Sequence, residues 1–161
     1  MTHDETHAKR GGAPVGFVTE LDGIEAASVI YLRMWCDGPE NRGYVHSDFQ
    51  RSFGTVQGQR ILEAFEQLCG LCTQHGRRPL MRHAVNCKCL GSDESCFANF
   101  IATAAEGERE DAMLIATLLV RADMAPLITS LATDFGLALK RMHLGSPQGP
   151  QRTHSHVTTL H

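Results

Sequence analysis

A chain of 161 residues, 42% hydrophobic and 20% charged, is sized for one domain with its own core. Its formal net charge of −3 offers no global attraction to nucleic acid or anionic lipid. No apolar run reaches the roughly 18 residues of a membrane span, and the segment 112–120 is too short and ends in charge.

The first residues, MTHDETHAKRGGAPVG, contain acids and lack the apolar stretch of a secretory signal. A cytoplasmic location is therefore expected. In that reducing environment the six cysteines read as core thiols, metal ligands or redox groups, not as a disulfide framework. Residues 1–14 and 146–161 are rich in Gly, Pro, Ser, Thr and His, and too poor in large apolar groups to offset their ordering entropy. Two disordered tails are expected around a helical domain spanning 15–145. His154, His156 and His161 in the second tail have the chemistry to bind a divalent ion weakly, although a solvated tail is the simpler reading.

Between the tails the pattern predicts five helices and no strand. The first covers 20–35, with Thr19 as its cap and Asp22 in its first turn. Its sequence AASVIYLRMWC is apolar nearly all round, as in a central buried helix, and Asp37-Gly38-Pro39 stops it. A polar connector over 40–46 leads to a second helix beginning at Ser47 or Asp48, with a break near Gly54. Ile61, Phe65, Leu68 and Cys72 recur at helical spacing, and Leu62 and Cys69 widen the stripe. Gly76 and Pro79 end it.

After a connector over 77–91, a third helix begins near Ser92. Asp93 and Glu94 suit its positive end, and Phe97, Phe100, Ile101 and Ala104 supply its buried face. Gly107 closes it. The fourth helix carries Met113, Ile115, Ala116, Leu119 and Val120. A corner at 123–126 opens the fifth, through Leu127, Leu131, Phe135, Leu139 and Met142. Short links between the last three predict antiparallel neighbours, so the expected architecture is an all-α, single-domain, up-and-down bundle.

The connector before the third helix concentrates the soft side chains, as His83-x3-Cys87-x-Cys89-x6-Cys96. One imidazole and three thiolates form a ligand set for tetrahedral zinc. Cys87 and Cys89, two apart in an extended segment, would point to the same side. Gly91 permits the reversal that would return Cys96, and a helix N-terminus would help hold Cys96 as thiolate. Zinc is the expected cofactor; an iron–sulfur cluster is the weaker alternative. Cys69-x2-Cys72-x2-His75 forms a possible second half-site, although Cys69 and Cys72 lie on the apolar stripe and read more simply as core. Cys36, closing an apolar helix, reads as a buried thiol. Arg77, Arg78, Arg82 and Lys88 are candidates for contact with an anion or an acidic partner.

Several catalytic signatures are missing. There is no Gly-x-Ser-x-Gly, no P-loop, no dinucleotide fingerprint and no His-Glu-x-x-His. Nor does a Glu-x-x-His pair occur, as di-iron carboxylate bundles require. The sequence is not read as that of an enzyme. It is read as a small binding or regulatory protein with a structural zinc site and a protein partner it does not identify; nucleic acid and membrane are not expected partners. Two alternatives stand beside this. One is a thiol-based redox sensor or enzyme using Cys89 or Cys96. The other is a plain interaction domain whose reduced cysteines bind no metal.

Overall fold

The computed structural model describes residues 10–145; of the tails expected at 1–14 and 146–161, residues 1–9 and 146–161, with His154, His156 and His161, lie outside the described residues. The expected helical bundle is present, as α1 (Gly23–Cys36), α2 (Pro39–Gln74), α3 (Ser92–Ala105), α4 (Arg109–Leu119) and α5 (Ala125–Gly145). Among the described residues, no helix is long and apolar enough to cross a membrane.

Two departures lie near the chain's start. A two-stranded antiparallel sheet pairs β1 (Pro14–Phe17) with β2 (Cys89–Gly91), in the register Pro14↔Gly91, Gly16↔Leu90 and Phe17↔Cys89. The domain also begins earlier than residue 15. Ser92 N donates to Ala13 O at 3.0 Å, and the His83 ring lies against Gly12 O. These contacts tie the entering chain to the connector.

Asp22, not Thr19, caps α1. Its extended backbone lets Oδ1 accept from Glu25 N at 2.9 Å, satisfying one amide that the first helical turn leaves unpaired. Residues Val18–Glu20 form a separate 3-10 turn. The polar stretch expected as a connector over 40–46 is instead the opening of α2, with Pro39 in the first turn, where its missing N–H costs nothing. The break at Gly54 is real. Its φ of +83° suits glycine and divides α2 into arms at 39–53 and 55–74. The arms cross so closely that a Cβ on Gly58 would sit 2.8 Å from Phe49 O.

At that crossing lies an aromatic cluster. Phe65 stacks on Phe135 of α5 with ring centroids 4.6 Å apart, Phe49 and Trp35 meet the pair edge-on or tilted, and Tyr31 packs edge-on against Phe49. Helix α3 packs against α1, α4 and α5, burying Phe97, Phe100 and Ile101. A smaller apolar cluster of Val29, Leu90 and Ala98 fixes the sheet to α1 and α3. Gly107, at φ +83°, ends α3, and Gly76 bridges to Val120, joining the end of α2 to the end of α4. The connector thus leaves and re-enters the bundle at fixed points.

Candidate functional site

The connector between α2 and β2 is held by charged side chains that the helices bury. Arg33 of α1 is 1% exposed and Glu94, in the first turn of α3, is 0% exposed. Arg33 Nε donates to Glu94 Oε2 at 2.6 Å and Arg33 Nη2 to Oε1 at 2.8 Å, a two-pronged ion pair. The same guanidinium donates to Cys87 O at 2.6 Å and Cys89 O at 2.7 Å. Glu94 also accepts from Gly91 N at 2.9 Å and His83 N at 3.1 Å. Every prong therefore ends on the connector, on β2 or on the partner charge.

Burial alone pushes the Glu94 carboxyl up. Hydrogen bonds from Arg33, Gly91 N and His83 N, with the charge of Arg33, outweigh it, and the net effect is to hold the carboxyl below its usual range. Asp93, 5% exposed, repeats the device next door. It accepts from Arg78 at 2.9 and 2.5 Å and from Met81 N at 2.8 Å. Both acids were expected to complement the helix dipole. They do so, and they also anchor the loop.

The expected zinc ligands do not converge in this arrangement. Among the described residues, no three His, Cys, Asp or Glu side chains gather as a metal site requires. Arg33, Asp93 and Glu94 together form a clasp on the connector's backbone. With their carbonyls drawn onto Arg33, Cys87 and Cys89 lie on the connector and on β2, half-buried. Cys96 instead packs against the main core, near enough to Cys72 to influence its titration. His83 Nε2 is 2.9 Å from Gly12 O, a contact that needs its proton on that nitrogen. The second half-site is likewise dispersed: Cys69 and Cys72 are buried, and His75 Nδ1 lies 3.1 Å from Arg121 Nη2 at the end of α2.

The thiolate expected at Cys96 also gives way. Burial and the charge of Asp93 raise this thiol, and Arg78 only partly offsets them. Burial likewise raises Cys36, lifts Cys69 well above the usual thiol range and pushes Cys72 up to about 12.

What the connector does build is a cavity of about 540 Å³, within the size range of small-molecule sites. Buried Leu32, Cys69, Cys72 and Phe97, from α1, α2 and α3, back it, and Cys36, Pro79 and Leu80 form its accessible apolar floor. Arg77, Arg78 and Arg82 line it from the connector. Three of the four basic residues expected to act together thus share one rim. Lys88 lies elsewhere, its carbonyl accepting from Val18 N.

The Arg33–Glu94 pair was the feature that sequence reasoning missed. Its signal was present: a charge inside a helix apolar on all sides needs a buried partner. Comparison with protein-family models, curated proteins and solved structures finds no match to this chain.

Proposed function

We propose that this chain is a small binding or regulatory protein whose working site is the cavity between the bundle and its clasped connector. The observation that carries this reading is the cavity of about 540 Å³, one wall of which is a loop held by two buried carboxylates. A wall fixed before binding loses little further entropy when a ligand arrives, which is what a preformed site needs. Most of the floor is apolar, and the rim supplies hydrogen-bond donors, the division of labour usual in small-molecule sites.

Raised thiols on and behind the floor favour binding over nucleophilic chemistry at these positions. Occupancy would extend the wall and alter the surface that the connector shows to a protein partner, which is where regulation would enter. The test is an amide-shift map by NMR, using a panel of small molecules that spans charge and polarity. Shifts concentrated at residues 72–82 and at Phe97 are the expected result. A panel that leaves those amides unmoved would end the proposal.

A further inference from the structure

We infer that the cavity takes an amphipathic anion, with its hydrocarbon body against Cys36, Pro79 and Leu80 and its carboxylate at Arg77 and Arg82. The inference rests on the binding role proposed above and names the class of ligand.

Charge carries the first step. Among the described residues that line the cavity there are three arginines and no carboxylate. Arg78 is already matched by the two oxygens of Asp93, so its charge is spent on the fold. Arg77 and Arg82 have no carboxylate partner among the described ion pairs. Each is steadied by a carbonyl instead: Arg77 Nε donates to Thr117 O, and Arg82 Nη2 donates to Cys36 O at 2.9 Å. A guanidinium has five N–H donors, so one bond to a carbonyl fixes its place and leaves the others to meet an anion.

The floor supplies the second step. The side chains of Pro79 and Leu80 offer no hydrogen bond, and the Cys36 thiol is a weak donor that behaves as a small apolar group. Burial keeps Cys36, Cys69 and Cys72 protonated, so the floor carries no charge to repel an anion or to attract a cation. A polar body would lose its water there without replacement, whereas a hydrocarbon gains by burial. A neutral hydrocarbon alone would leave the rim unused.

The probe is decanoate below its micellar concentration, compared with decanol and decyltrimethylammonium by calorimetry and by amide shifts. Decanoate should bind at residues 72–82 about tenfold or more tighter than decanol, and the cation should not bind there. Arg77→Gln/Arg82→Gln should bring decanoate down to the level of decanol with an unchanged melting temperature. Arg77→Gln alone, at an exposed side chain, should lose part of the advantage, and serves if the double variant is less stable. Raising the salt concentration should weaken decanoate and leave decanol as it was. Equal affinity for decanoate and decanol, or full decanoate affinity in the arginine variants, would overturn the anion assignment while leaving the cavity a binding site. If none of the three probes shifts residues 72–82, the inference falls together with the binding role.

Discussion

Replacing Arg33 by methionine removes four hydrogen bonds at once: two to Glu94, and one each to the carbonyls of Cys87 and Cys89. The Glu94 carboxylate would remain 0% exposed in the folded state, with only Gly91 N and His83 N to satisfy it. Removing one partner of a buried ion pair costs about 3–5 kcal/mol. A protein of this size has about 5–15 kcal/mol in total, so the variant should lose a large share of its stability. The melting temperature should fall by about 6–20 °C. Glu94→Leu should cost a similar amount, because it strands the guanidinium. The double variant Arg33→Met/Glu94→Leu buries no lone charge, and should cost about 2 kcal/mol less than the sum of the singles. It will not regain the parent's stability, since two carbonyls and two amides of the connector still lose their partners. Urea unfolding followed by circular dichroism measures all four proteins. Single variants within about 1 kcal/mol of the parent, or strictly additive losses, would refute the view that this pair holds the loop.

The crossing of the α2 arms makes a paired prediction. Gly58→Ala sets a methyl 2.8 Å from a backbone oxygen and should lower stability by about 1–3 kcal/mol, whereas Gly70→Ala meets nothing within 4 Å and should raise it by about 0.5–1 kcal/mol. Thermal melts of the two variants that shift in the same direction would contradict the geometry. Acid should expose the clasp. Because folding depresses the Glu94 carboxyl, its contribution is complete above about 4.5 and is lost as the pH falls through the lower folded value. The difference between urea midpoints at about pH 6 and about pH 3 should therefore be smaller in Glu94→Gln than in the parent, and an equal difference would count against the assignment. A thiol reagent applied at neutral pH, with the sites read by peptide mapping, should label half-buried Cys87 and Cys89 well before Cys69 and Cys72. Equal labelling rates would mean that the core thiols are not sealed as the packing requires.

How much of this was legible in the chain depends on the range of the forces involved. The last three helices announce themselves, because apolar spacing, first-turn acids and terminating glycines are local signals that agree with one another. Gly54 was legible for the same reason. The opening of α2 was not: Glu40, Asn41, Arg42 and Gly43 show no apolar period, and their helix is set by Pro39 and by Val45 and Phe49 reaching the core. The sheet was hidden because β1 and β2 are short and pair across more than seventy residues of sequence. The connector's soft side chains are visible in the sequence, whereas the contacts that hold it are made to its backbone. Carbonyls and amides, invisible in a residue list, are what Arg33, Asp93 and Glu94 hold. Among the described residues, these three side chains hold the connector's backbone in place.

Hydrogen exchange at the amides of Met81, His83 and Gly91 tests that claim most directly, because each donates to a carboxylate of the clasp. In tag-free protein stripped with chelator, the three amides should exchange slowly, and adding zinc should not slow them further. Rapid exchange in the stripped protein that zinc restores to protection would show that an ion, not the buried charges, organises the connector.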